Sequence, residues 1–155
     1  MDKLQIGDKA PAIEAKNQNG ELIKLTDFLG KKVILYFYPK DNTPGCTTEA
    51  CNFRDNYQSL RNDGFEVIGV SIDNEQSHQK FTSKFDLPFN LLADDDQKIV
   101  NDYGVWVEKN MYGRKYMGTA RTTFVIDEQG IIQHIIKKVD NKNASQQIRD
   151  LIRKG

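Results

Sequence analysis

The chain holds only two cysteines, two histidines and four prolines, and its formal net charge is zero. Lys plus Arg (22) matches Asp plus Glu (22), so no basic surplus is available for phosphate backbones or anionic lipid, and neither nucleic acid nor a membrane is an expected partner. No apolar run is long enough to cross a bilayer, and the start, Met1-Asp2-Lys3-Leu4-Gln5-Ile6-Gly7-Asp8, lacks the apolar core of a signal peptide. The expectation is a cytoplasmic protein in a reducing compartment, where paired cysteines serve catalysis or a metal rather than a scaffold. Repeats, low-complexity tracts and Pro/Gly/Ser-rich linkers are missing, so residues 1–155 read as a single domain with one core. There is no Gly-rich phosphate loop or Ser/His/Asp grouping, and Cys46, Cys51, His78 and His134 have no familiar zinc spacing. No cofactor and no metal are expected.

What is present is an alternation of strands and helices. Lys32 to Tyr38 is continuously apolar, as expected of a central strand covered on both faces. A helix follows from Thr43, with Thr43 suited to its cap and Pro44 to its first turn, and Asn62-Asp63-Gly64 ends it. Its apolar stripe is Cys46, Ala50, Phe53, Tyr57 and Leu60. A second strand, Glu66 to Ile72, completes a βαβ unit with parallel strands. Then come a helix from Glu75 to Phe85, a strand from Asn90 to Ala93 and a helix near Gln97 to Tyr103. An antiparallel hairpin, Thr122 to Ile126 and Ile131 to Lys138, precedes a last helix from Asn143 to Lys154. Trp106, Met111 and Tyr112 read as a packed aromatic cluster, His78 as a polar helix position and His134 as a strand residue. The order predicts an α/β fold of thioredoxin-like type, a central mixed β-sheet flanked by helices on both faces.

Cys46 occupies the first turn of the helix after the buried strand. Unpaired N–H groups and partial positive charge at a helix N-terminus favour thiolate over thiol. With Cys51 five residues on, this points to redox chemistry at the thiol. On an ideal α-helix that spacing puts the Cα atoms about 8.6 Å apart and ~140° around the axis. A disulfide needs Cα atoms within about 7 Å, so the first turn or two must unwind before the pair can join.

The run Phe37-Tyr38-Pro39-Lys40-Asp41-Asn42-Thr43-Pro44-Gly45-Cys46-Thr47-Thr48-Glu49-Ala50-Cys51 contains Pro39-x-x-x-Thr43-x-x-Cys46. It resembles the active-site signature of peroxiredoxins, in the branch called bacterioferritin comigratory protein or PrxQ. Similar segments recur in order at Leu87 to Asp94, Tyr103-Gly104-Val105, Tyr112-Gly113 and Ala120-Arg121-Thr122-Thr123-Phe124-Val125-Ile126-Asp127. The resemblance implies a thiol peroxidase active in antioxidant defence on hydrogen peroxide and organic hydroperoxides. Cys46 would be the peroxidatic cysteine, Cys51 the resolving one, and a thioredoxin-type dithiol the reductant. Resolution within one chain is compatible with a monomer, which is the expected state.

Thiolate fraction alone does not make such an enzyme. Lowering a thiol pKa from ~8.5 to about 6 raises that fraction roughly thirty-fold, worth ~2 kcal/mol, and intrinsic nucleophilicity falls with it. Groups that stabilise the breaking O–O bond must supply the rest. Thr43 offers a hydroxyl, Arg121 a charged fork of N–H donors and Gly45 and Cys46 their backbone N–H groups. Pro39 would exclude water from one side, and Glu49 would bond within the site or simply favour the helix dipole. Two other readings are open. A thioredoxin-like disulfide reductase would normally carry Cys-x-x-Cys, whereas this chain has Cys46-x-x-x-x-Cys51. A redox-sensing binding module would react about once and stall.

Overall fold

The computed structural model describes residues 4–154, so Met1 to Lys3, read above for a leader, lie outside the described residues. A short antiparallel pair opens the fold, β1 (Glu14–Lys16) with β2 (Leu22–Lys24). Then follow β3 (Lys32–Phe37), α1 (Pro44–Asn62), β4 (Phe65–Ser71), α2 (Glu75–Phe85), β5 (Asn90–Ala93) and α3 (Lys98–Asp102). The hairpin β6 (Trp106–Met111) and β7 (Arg114–Thr119) precedes β8 (Thr122–Ile126), β9 (Ile132–Ile136) and α4 (Ala144–Lys154). Five strands form the central sheet in the order β5-β4-β3-β8-β9. β3, β4 and β5 run parallel, whereas β8 is antiparallel to β3 and β9 to β8, which makes the sheet mixed.

The apolar run of β3 serves two cores because successive side chains point to opposite faces. Ile34 and Tyr36 join Cys46, Ala50 and Phe53 of α1, Phe81 of α2 and Ile148 of α4 on one face. Val33, Leu35 and Phe37 join Ile99 and Val100 of α3, with Tyr103 and Phe124, on the other. Gly69 of β4 lets Tyr36 approach, since a Cβ there would sit 2.8 Å from Leu91 Cδ2 and 2.9 Å from Tyr36 Cζ.

The βαβ unit, the helix from Glu75 to Phe85 and the last hairpin form where the sequence predicts them. The β1–β2 and β6–β7 hairpins do not follow from its pattern. The aromatic cluster expected at Trp106, Met111 and Tyr112 is absent: Trp106 packs against the second core, but Met111 and Tyr112 stand exposed at the β6–β7 tip. Tyr112 and Gly113 both take positive φ there, as a tight two-residue hairpin turn requires. His78 sits on α2 as a structural polar residue, as expected, and the fold adds its depth. It is fully buried, because both ring nitrogens find partners inside the fold.

Candidate active site

The site forms where β3 ends. Residues 38–43 leave the sheet and turn into α1, and the pairing of Phe37 with Thr122 brings the start of β8, with Arg121 just before it, alongside. Pro39 lies half-buried in that loop, and Cys46 falls in the third position of α1 with only 1% of its surface exposed.

Thr43 stands at the helix cap position with extended backbone, yet its side chain makes no capping bond. Its hydroxyl donates instead to Lys40 O at 2.9 Å. This corrects the expected cap, and the consequence is chemical. Among the described residues the N–H groups of Gly45 and Cys46 meet no acceptor, so they are free to act on the thiolate or on a ligand beside it. With its hydrogen given to Lys40 O, the Thr43 hydroxyl keeps only lone pairs to offer a further partner.

Arg121 bridges the two buried groups of α1. Its Nη2 donates to Cys46 Sγ at 3.2 Å and its Nη1 to Glu49 Oε1 at 2.7 Å. Burial opposes the guanidinium charge, but Cys46 and Glu49 together more than restore it. Glu49 is fully buried and its Oε2 has no partner. Burial raises its pKa to about 7, with the charge and hydrogen bond of Arg121 pulling the other way. Tyr36 lies close by, and burial followed by the charges of Glu49 and Cys46 keeps its hydroxyl protonated.

Gly45 contributes through its missing side chain as well as its amide. A Cβ there would come within 3.1 Å of Asn141 Nδ2 and 3.2 Å of Arg121 Nη2. Cys51 is half-buried further along the unbroken helix, and both cysteines are free thiols. The structure therefore brings Gly45, Cys46, Glu49 and Arg121 into one site, with Thr43 at the cap position three residues before Cys46, and leaves Cys46 and Cys51 unbonded.

This arrangement fits a known family, and the match extends well beyond the site. The AhpC/TSA family model matches residues 6–135. The chain belongs to the AhpC/TSA family. It is 46% identical over 155 residues to peroxiredoxin Bcp of Bacillus subtilis, covering 97% of this chain and 99% of the relative. Peroxiredoxin Bcp of Escherichia coli is 42% identical over 143 residues, covering 92% of each. Among solved structures, PrxQ of Xylella fastidiosa, in a cysteine-to-serine form, superposes with a TM-score of 0.91 at 28% identity, over 99% of this chain and 98% of that one. Bacterioferritin comigratory protein of Xanthomonas campestris, studied for its alkyl peroxide reduction activity, gives a TM-score of 0.85 at 30% identity, over 91% and 90% of the two chains. This peroxiredoxin is accordingly a thiol peroxidase with the thioredoxin-like fold of its relatives, and its substrate and reductant are a peroxide and a thiol. No helix among the described residues is long and apolar enough to cross a membrane.

Three features of the peroxiredoxin site gave no signal in the sequence. Asn141 reaches Gly45 from the turn before α4. Lys109 of β6 runs its aliphatic stem over Gly118, and its charge is disfavoured first by burial and then by Arg121, with Cys46 opposing. The third is a buried network behind residues 38–43. Asp41 accepts from Tyr38 Oη at 2.6 Å and Ser77 Oγ at 2.8 Å, and meets His78 Nδ1 at 2.6 Å. His78 Nε2 lies 2.8 Å from Leu92 O, while the Asp41 N–H donates to Asp73 Oδ2 at 2.8 Å. Asp41, Asp73 and His78 gather three groups of metal-ligand chemistry, but these atoms are committed to one another and to Ser71 and Ser77. The cluster is a brace for the loop.

Proposed function

We propose that Cys46 is the peroxidatic cysteine, that Cys51 resolves it, and that Arg121, Thr43 and the free N–H groups of Gly45 and Cys46 activate the peroxide. The observation that carries this is the Arg121 guanidinium held between Cys46 Sγ and Glu49 above an uncapped helix N-terminus. The thiolate attacks the terminal oxygen, an S–O bond forms and the O–O bond breaks. The departing oxygen gathers negative charge beside Arg121 and the backbone N–H groups, where preorganised donors act most strongly, and leaves as water or alcohol on taking a proton. Thr43 accepts from the peroxide O–H and so orients it. Glu49 fixes the Arg121 fork, and Pro39 walls one side of the approach.

Cys51 then displaces hydroxide from the sulfenic sulfur, and a dithiol of thioredoxin type reduces the resulting disulfide. Both hydrogen peroxide and organic hydroperoxides are substrates in this reading, the protein is a cytoplasmic monomer, and its role is antioxidant defence. The near-complete burial of Cys46 favours a small peroxide over a protein disulfide as its first partner, which argues against a disulfide reductase. Intact mass of the reduced protein after one equivalent of hydrogen peroxide tests the scheme. Rapid loss of two hydrogens is expected, and Cys51→Ser should instead gain one oxygen and lose thioredoxin-driven cycling. Oxidation no faster than that of a free thiol would refute it.

A further inference from the structure

The stretch of α1 that carries both cysteines is tied to the rest of the fold at each end. Upstream, the Asp41 brace fixes the loop to α2 and to the segment after β4. Downstream, the side chain of Asn52, the residue after Cys51, makes two bonds to the segment before and within α4. Its Nδ2 donates to Lys142 O at 2.8 Å and its Oδ1 accepts from Ser145 N at 2.9 Å. Ser145 is the second residue of α4, so Asn52 satisfies one of the orphan N–H groups of that helix from a neighbouring helix. The carbonyl of Asn52 also accepts from Asn56 Nδ2 at 2.8 Å.

Resting on the assignment of Cys46 and Cys51 above, we infer that Asn52 is a positioning residue for disulfide formation. Unwinding of α1 starts from its N-terminus and stops at Asn52. Cys51 therefore stays near its helical position while the turns carrying Cys46 rearrange to reach it. The two Cα atoms must close from about 8.6 Å to under about 7 Å, and a fixed Cys51 makes this a search by one moving end rather than two. The covalent step is balanced without further reagents. The Cys51 sulfur attacks the sulfenic sulfur of Cys46, the S–S bond forms, the S–O bond breaks, and the leaving hydroxide departs as water with the Cys51 proton.

The test follows reduced wild type, Asn52→Ala and Asn52→Asp by rapid-quench intact mass after one equivalent of hydrogen peroxide. Gain of oxygen and loss of two hydrogens are resolved as separate phases. Asn52→Ala is expected to take up oxygen within about twofold of the wild-type rate and to form the disulfide about tenfold more slowly, the scale set by two neutral hydrogen bonds. Asn52→Asp keeps the acceptor for Ser145 N–H and should recover part of the rate. It also tests the role if the alanine variant does not fold. Hydrogen exchange of the oxidised proteins should confine new exposure to residues 44–51 in wild type and spread it past 52 and into 141–146 in Asn52→Ala. An unchanged or faster second phase in both variants would overturn the role of Asn52. Failure of wild type to take up oxygen, or to lose two hydrogens afterwards, would instead overturn the assignment of Cys46 or Cys51, and the inference with it.

Discussion

Replacing Glu49 with glutamine should remove a penalty that grows with pH. The carboxyl group is fully buried, Arg121 satisfies Oε1 at 2.7 Å, and Oε2 has no partner, so the ionised form is poorly solvated. Burial raises its pKa from 4.5 to about 7 even with Arg121 opposing. Below the unfolded value the group is protonated in both states and contributes no difference. Between the two values the folded protein keeps a proton that the unfolded chain has released, so stability falls as pH rises. The fall is about 1.4 kcal/mol per unit, or ~3 kcal/mol by the time Glu49 is ionised. Urea unfolding of the reduced protein between pH 4.5 and 8 reads this directly. Wild type should lose ~3 kcal/mol relative to Glu49→Gln across that window, most of it before pH 7. Parallel curves for the two proteins would refute the argument from burial. The same titration means that Glu49 is only partly ionised near neutrality, which leaves much of the Arg121 charge available to Cys46.

Three further outcomes are expected. Thr43→Val should slow Cys46 oxidation in stopped flow by about 10- to 100-fold while costing no more than about 1 kcal/mol in urea unfolding, the worth of its bond to Lys40 O; an unchanged oxidation rate would remove the hydroxyl from the site. Gly45→Ala places a methyl 3.1 Å from Asn141 Nδ2 and 3.2 Å from Arg121 Nη2, so stopped-flow oxidation of Cys46 should slow by about tenfold or more with little change in stability. Gly69→Ala should cost ~1–3 kcal/mol in denaturant unfolding, because its methyl meets Leu91 and Tyr36 below 3.0 Å inside the core.

The parts of this fold that were legible in the sequence are those whose apolar pattern is long or whose ends carry turn chemistry. β3 is a continuous apolar run, α1 has a five-residue stripe, and Asn62-Asp63-Gly64 closes it with Gly64 at positive φ. β1 and β2 are three residues each with only the middle one partly buried, too short for a period to register. β6 and β7 alternate weakly, because their hairpin stands off the main sheet and its outer residues face solvent. At the site, Cys46 and Arg121 could be named from the motif, but their direct contact spans 75 residues. The choice of Thr43 to bond Lys40 rather than cap the helix is a matter of rotamer and loop shape. His78 could be read as a polar helix position, but not its burial, because its partners, Asp41 and Leu92 O, come from other elements.

The exposed hairpin matters for how this protein records its own exposure to oxidant. Two of its three methionines, Met111 and Met117, lie on that hairpin, 57% and 50% exposed. Thioether sulfur takes up oxygen without needing to ionise, and the product is a sulfoxide that methionine sulfoxide reductases reverse. An excess of peroxide that outruns Cys46 will therefore mark β6 and β7 with one or two added oxygens while the buried thiol chemistry continues beneath. Where those reductases are absent, peptide mapping of the hairpin gives a cumulative dose, whereas Cys46 and Cys51 report only the present balance between oxidant and reductant.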